Sequence, residues 1–453
     1  MPSHRIAMLR GMNKALFIKL AILAVITGLL CIVLARIGGL VDERQARQHE
    51  AEQSVVQSQA GPQTLLGPLL MRHCKETWTP NKDGDQTRSF IAVLPPSQLQ
   101  VGGRVSPDPR YRGLFKINSY ASKLSIAARW DDFERLSPPA ENAGGRVECG
   151  DVVAMFSTSD ARGLRDVQLK RDGRTLNVKP GTTNAVHPAG LHAVIATPRS
   201  GETLELSLAV EVVGTQRLAV VPAAGSTAVS LQSTWQHPSF GGRFLPSERE
   251  VGGNGFSARW QVSELASSAA ADVAAGKPEL ETLAVDLIDP VNPYVMSDRA
   301  IKYGLMFIAL TFVTVGLTEL LTGRRVHPVQ YLLVGLALSL FFLLLLSLSE
   351  HLPFLAAYLI AAGAAAAVLT QYAAAMLGGW LRGLAFGGGI ALLYGALYVL
   401  LSREQTALVI GAVLLFAVLA AVMTLTRRLD WYRLGAAGAE GGAEGGERMD
   451  QAA

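Results

Sequence analysis

The chain of 453 residues is 49% hydrophobic but only 17% charged, against roughly 25% charged in soluble globular chains, which excludes a wholly water-soluble protein. Its net charge of +4 is small for the length and forms no basic stripe with interleaved aromatics, so a nucleic-acid partner is not expected. The apolar excess lies between Ala15 and Ala35 and after Met306, leaving a middle of ordinary soluble composition.

In chain order, Arg5, Arg10 and Lys14 precede a first apolar run over residues 15–36. A cleaved signal peptide has an apolar core of roughly 7–15 residues and a small-residue cleavage site. The run from Leu20 to Ala35 is longer, and Leu34-Ala35-Arg36 offers no such site, so a retained membrane helix is predicted. Lys19 sits near its start, where its stem can snorkel to the interface. Residues 42–59 are charged, lack Gly and Pro, and predict a short helical stalk next to the membrane.

After Gly61-Pro62 short stretches alternate apolar and polar residues between Gly, Pro, Asn and Asp, the pattern of antiparallel strands. Residues 89–94, 113–130, 167–178, 203–213, 228–235 and 255–260 read this way, so residues 38–300 predict a large β-rich, sandwich-like domain. Trp130, Trp235 and Trp260 each close such a stretch. An aromatic in that position is ordinary in β domains, and internal duplication is the alternative. Cys74 and Cys149 are read as two buried free thiols, with pairing in an oxidising compartment as the alternative. Cys31 lies in the first apolar run, and no cysteine or histidine spacing suits a metal.

Five further runs, residues 303–322, 329–349, 352–376, 384–402 and 406–426, have the roughly 20 residues needed to cross a hydrocarbon core about 30 Å thick. With the first they make about six spans. Basic residues are retained on the cytoplasmic side. Arg5, Arg10 and Lys14, Arg324 and Arg325, Arg382, and Arg427, Arg428 and Arg433 all fall on one side of a single alternating topology. Both termini are then cytoplasmic and residues 38–300 periplasmic. The runs Ala361-Ala362-Gly363-Ala364-Ala365 and Gly387-Gly388-Gly389 predict close helix packing. Residues 435–453, nearly all Gly, Ala and Glu, predict a disordered cytoplasmic tail.

Phosphate-binding loops, dinucleotide glycine patterns, GxSxG, HExxH and CxxC are all absent. No catalytic, cofactor or metal residue is assigned. Four residues stand as candidate functional positions: Glu319, His237, Arg243 and Arg299. Glu319 is the main ionisable residue within a span, a setting that can mark an ion or proton pathway; pairing with Arg324 and Arg325 one turn away is the preferred reading. His237 and Ser239 invite a catalytic reading, but Pro238 and the pair Gly241-Gly242 mark the stretch up to Arg243 and Pro246 as a turn between strands. Arg299, Lys302 and Tyr303 suit an interfacial belt.

Several stretches together resemble the CreD family of inner-membrane proteins. They are Ser58 to Gln63 with Leu66-Gly67-Pro68, Ser159-Asp160-Ala161-Arg162-Gly163-Leu164, and Trp235 to Glu250. Further on come Ser297 to Gly304, His327 to Leu336, Leu346 to His351 and Asp430-Trp431-Tyr432. The similarity spans roughly residues 14 to 432. It implies a protein tied to envelope stability, colicin tolerance and the β-lactam response, controlled in some bacteria by the CreBC two-component system; it supplies no reaction and no active site. The expected function is non-enzymatic support of envelope integrity, with the external domain touching a periplasmic or cell-wall partner and the helices held by the lipid bilayer. A transporter or lipid-handling permease is the alternative, and an enzyme acting on cell-wall material a third.

Overall fold

The computed structural model describes residues 3–80, 84–199, 201–289, 292–322, 326–403 and 406–427. Two compact units result, Met1–Arg47 with Val291–Ala453, and Gln48–Pro290. The described helices are α1 (Ser3–Ser58), α2 (Ala269–Ala274), α3 (Pro293–Lys302), α4 (Gly304–Thr322), α5 (Pro328–Ser349), α6 (Phe354–Leu377), α7 (Trp380–Ser402) and α8 (Ala407–Thr426). The predicted anchor and stalk are thus one uninterrupted helix, because no Gly-Pro break occurs before Gly61-Pro62.

Five helices are long and apolar enough to cross a bilayer: α1 from Ile18 onward, α5, α6, α7 and α8. The predicted second span differs. It begins earlier, as the amphipathic helix α3, and bends by 47° into α4, the pair together making a sixth. The His327-Pro328 stretch marks a helix start: His327 Nδ1 accepts from Val329 N (3.3 Å), Gln330 returns a bond to His327 N (3.0 Å), and Pro328 takes the first turn. In α6 and α7, Ala361, Ala362 and Ala365 are buried and Gly387 lies against Thr370, whereas Gly363, Gly388 and Gly389 face open space. Close approach therefore uses only some of the small residues. Arg324, Arg325, Arg428 and Arg433, the tail from 435, and the side chains of Arg5, Arg10 and Lys14 lie outside the described residues.

The second unit holds the strands, β1 (Gln63–Trp78), β2 (Gln86–Leu94), β3 (Gln98–Pro107), β4 (Arg110–Arg112), β5 (Phe115–Ile117), β6 (Ser119–Trp130), β7 (Arg146–Cys149), β8 (Val152–Thr158) and β9 (Leu164–Arg171). They continue with β10 (Arg174–Thr175), β11 (Lys179–Pro180), β12 (Gly190–Ile195), β13 (Leu204–Thr215), β14 (Arg217–Val220) and β15 (Ser226–Ser233). The last four are β16 (Pro238–Gly242), β17 (Glu248–Gly252), β18 (Gly255–Ser263) and β19 (Leu283–Leu287).

Two sheets pack face to face. One runs β11-β12-β8-β1-β14-β19-β16, with β2 and β7 also on β1; the other runs β10-β9-β13-β6-β3-β15-β18-β17. Alternation drives this: in β6 every second residue from Ser122 to Trp130 is buried, and its partner β13 shows the same period. Leu65, Phe156, Val285 and their neighbours from the first sheet meet Val101, Leu208 and Trp260 from the second in one core. On the far side of the first sheet, Leu66, Leu69, Met71 and Met155 are covered by Ala269 and Val273 of α2.

Pairing is not purely antiparallel, as the alternation had suggested. β1 lies parallel to β14 and β3 parallel to β15, since each pair is joined by a long excursion rather than a hairpin. The order β8-β1-β14-β19 in one sheet and β6-β3-β15-β18 in the other makes the half holding Trp130 a reflection of the half holding Trp260. No rotation of one copy produces a reflection, so the recurring tryptophans do not mark a duplicated unit. Their indoles instead close the core, donating to Leu94 O and Phe244 O, each at 3.2 Å.

The two free thiols expected at Cys74 and Cys149 are a disulfide. These residues face each other across β1 and β7, a register that places the Cα atoms 4.0 Å apart despite a separation of 75 residues. Closing so long a loop constrains the unfolded chain by up to about 4 kcal/mol. When the denatured, unreduced protein is treated with a polymer-linked maleimide, we expect one modification, at Cys31, and three after reduction, read as gel shifts; three without reduction would refute the bridge.

Candidate functional site

Lipid tails are as apolar as leucine, so α1 cannot be held to the other helices by the hydrophobic effect. Shape does part of it. Ile26, Leu30, Leu34, Ile37 and Val41 recur at helical spacing along the buried face of α1. Leu30 fills the space a side chain at Gly335 of α5 would need, and Leu34 does the same at Gly304 of α4, where an added Cβ would lie 3.0 Å from Leu34 Cδ1.

Charge does the rest. Lys19 Nζ of α1 lies 2.5 and 2.7 Å from the carboxylate oxygens of Glu319 on α4. The Tyr331 hydroxyl of α5 donates to Glu319 Oε2 at 3.0 Å, and the Lys19 ammonium stands 5.7 Å from the centre of the same ring. With 16% of its side chain exposed, Glu319 is largely desolvated; Lys19 keeps 32%. Lys19 therefore does not simply snorkel to water. Of the described side chains, it and Tyr331 are the partners of Glu319, and the expected partners Arg324 and Arg325 fall outside the described residues.

A second pair sits further along α1. Arg44 Nε is 3.2 Å from Glu350 Oε1, after α5, and only 9% of the Glu350 side chain is exposed. Tyr294 of α3 hydrogen-bonds the same carboxylate. Lys19 and Arg44 are 25 residues apart on a continuous helix, about 37 Å at 1.5 Å per residue, a little more than the hydrocarbon thickness. Each ion pair thus has the spacing of an interface, and each joins three helical segments through one carboxylate and one phenol. Arg299 is half-buried on α3, in the turn before Tyr303.

In the β domain, Pro238–Gly242 is the edge strand β16 rather than a turn: it pairs with β19 from Pro238↔Leu287 to Gly242↔Leu283. A proline can open an edge strand because its missing N–H faces away from the ladder. At Gly242, with φ of +83°, a Cβ would fall onto the Thr282 carbonyl, so the strand can approach β19 only with glycine there. His237 is exposed, Ser239 lies in the ladder opposite Asp286, and no hydrogen bond joins their side chains among the described residues. Arg243 pairs with Glu281 at 2.9 Å, whose other oxygen accepts from Ser267 Oγ and Ser268 N at 3.1 Å. The nucleophile and base of a hydrolase are not brought together, and Arg243 belongs to a structural pairing.

A cluster the sequence reading did not single out surrounds Gln63. Its amide takes the Thr158 hydroxyl bond and donates to Asp160 O (3.1 Å) and Val213 O (3.4 Å). Arg162 bridges the Asp160 carboxylate at 2.6 Å and donates to the carbonyls of Val56 and Gln57, satisfying the last turn of α1. The guanidinium holds the Asp160 carboxyl below the usual carboxylate range. Nearby, Tyr120 donates to Arg217 O at 2.7 Å, and burial pushes its phenol well above its ordinary value. Gln63, Asp160 and Arg162 lie in two of the stretches that resemble the CreD family, and that resemblance is their signal in the sequence.

On the outer face of the second sheet lies a shallow depression of about 500 Å³, lined by Gln100, Ser125, Ser230, Glu248, Arg259 and Gln261 among others. Among the described residues, no group of three His, Cys, Asp or Glu side chains could hold a metal ion.

The family described as Inner membrane protein CreD matches residues 15–432. The chain belongs to this family. It is 35% identical over 432 residues to Inner membrane protein CreD of Escherichia coli (strain K12), covering 93% of this chain and 95% of that one. The family and the apolar helices together describe a multi-pass inner-membrane protein. A solved M1 zinc metallopeptidase from Deinococcus radiodurans shares 11% identity and a TM-score of 0.22 over 42% of each chain, a likeness that carries no argument.

Two outcomes test this geometry. Glu319→Leu leaves the Lys19 ammonium unpaired and should destabilise the detergent-solubilised protein by about 2 kcal/mol, with Lys19→Met added to it recovering at least half; thermal unfolding of the parent, Glu319→Leu, Lys19→Met and the double variant should give a coupling of roughly 1–2 kcal/mol. Gly242→Ala forces a side chain onto β19 and should cost about 2–4 kcal/mol in the same measurement, whereas Ser239→Ala should stay within about 0.5 kcal/mol.

Proposed function

We propose that the chain is a non-catalytic envelope-integrity protein whose β domain stands in the periplasm and contacts a periplasmic or cell-wall partner, with both termini in the cytoplasm. The disulfide between Cys74 and Cys149 carries this reading, because such bonds persist in oxidising compartments and not in the cytosol. The basic residues of the short loops support the same orientation. The broad depression over β3, β15 and β18 sets polar side chains such as Gln100, Ser230 and Gln261 beside Val101, Val229 and Trp260, which suits an extended partner with both polar and apolar groups. A part in the β-lactam and envelope-stress response is what the resemblance to the CreD family adds to this reading.

The Lys19–Glu319–Tyr331 cluster favours a second reading, transport or lipid handling through the helical unit, because an ionisable residue in a span can serve a pathway. One experiment separates them. A photo-crosslinking amino acid at Gln100 or Ser230 should trap a specific envelope component in stressed cells, and one at Lys170 should not; Glu319→Gln at equal protein level should leave β-lactam survival within about twofold of the parent. No crosslink above the Lys170 background, together with loss of survival in Glu319→Gln, would replace the scaffold by the permease.

A further inference from the structure

Entry to and exit from the β domain lie at one pole. Thr215 N donates to Gly61 O (3.3 Å) where the chain enters, and Leu287 N donates to the adjoining Gln216 O (2.7 Å) where it leaves. β3 ends and β6 begins here too, at the facing pair Pro107↔Tyr120, and the two-stranded hairpin β4–β5 projects between them. Its base is fixed. Ile117 is buried against Ala51 and Val55 of α1, Asn118 Nδ2 donates to Leu287 O (3.0 Å), and Lys116 Nζ reaches Asp289 at 3.2 Å and stands 5.5 Å from the Trp235 ring.

Its tip is of another chemistry. Tyr111 and Leu114 are 67% and 51% exposed, and Arg110 and Arg112 flank the tyrosine, both exposed. Asp108 holds Arg110 at 2.5 Å, while Arg112 has no ion pair among the described residues. Single exposed apolar residues are ordinary on a soluble surface. Here the position decides. Leu287, at this pole, is six residues before Pro293, where the broken span begins in the sequence. A phenol and a leucine beside guanidinium groups, at the pole from which the chain returns to its membrane helices, match the chemistry of the headgroup layer: aromatic rings with a polar end settle there, and guanidinium groups bind phosphate in a planar fork.

We propose that the β4–β5 hairpin is a membrane foot, with Tyr111 and Leu114 entering the headgroup region of the bilayer that holds the chain's own helices, and Arg110 and Arg112 binding the phosphates of anionic lipids. Which side of the membrane the domain occupies does not matter to it. The test uses the full chain in nanodiscs of phosphatidylcholine with or without phosphatidylglycerol, carrying a genetically encoded spin label at position 114 or at position 265. Leu265 is 95% exposed and follows β18 at the pole opposite the hairpin, which makes it the control. At 114 the label should be relaxed by oxygen and shielded at least threefold from a water-soluble nickel complex relative to 265, more so with phosphatidylglycerol. Arg110→Glu with Arg112→Glu should remove most of that shielding while the Cys74–Cys149 bridge, the marker of a folded domain, stays intact. Equal nickel access at 114 and 265 in both lipid mixtures overturns the foot. Shielding from oxygen and nickel alike also overturns it, since protein and not lipid then covers the tip. Shielding unchanged by the double substitution overturns the phosphate contacts.

Discussion

Helices in a bilayer gain nothing by hiding apolar surface from one another, and the arrangement of the helical unit follows from that constraint. What remains is fit and charge. Leu30 and Leu34 occupy notches left by Gly335 and Gly304, while Lys19 with Glu319 and Arg44 with Glu350 fix α1 at two levels. A largely desolvated carboxylate is tolerated because each has a cation and a phenol beside it, Tyr331 in one case and Tyr294 in the other. The repetition of one solution at two levels argues that the pairs set position and register. It also explains why Glu319 sits within a span without needing a transported ion.

The β domain answers to a different solvent. There the apolar faces of two sheets bury each other, and the polar atoms left near the chain's entry are consumed by one another: Gln63, Thr158, Asp160 and Arg162 leave the final carbonyls of α1 with donors. Gln63, Asp160 and Arg162, which lie in stretches that resemble the family, join the end of α1 to the sheet, a role that needs no catalysis to be exacting. The Trp235 to Pro246 stretch is of the same kind. Its histidine points to solvent, its arginine to Glu281, and its glycine to a neighbouring backbone.

What was legible in the sequence was whatever depends on neighbours along the chain. Spans show in local hydropathy, strands such as β6 and β13 in their alternation, and the start of α5 in His327-Pro328-Val329-Gln330. What was not legible depends on residues far apart. Lys19 meets Glu319 across 300 positions, and Cys74 meets Cys149 only because β7 lands on β1 in one register. Alternation reports which face is buried and is silent on strand direction, so the parallel pairs β1–β14 and β3–β15 could not be read from it. Proline and paired glycines at 238–242 have the composition of a turn, yet the same residues serve an edge strand when a neighbouring backbone comes close.

β1 is the strand on which the first sheet is organised, and its partners come from four places: β2, β7, β8 and β14. A ribosome delivers them in that order. The bridge can therefore close once residue 149 has emerged, while the edge of β1 that awaits β14 stays bare until some seventy more residues have been made. During that interval the nascent domain presents unpaired backbone to its surroundings, a condition that invites wrong pairing. Because α1 precedes β1 in the chain, the anchor is made before any strand of the sheet whose pairing has to wait.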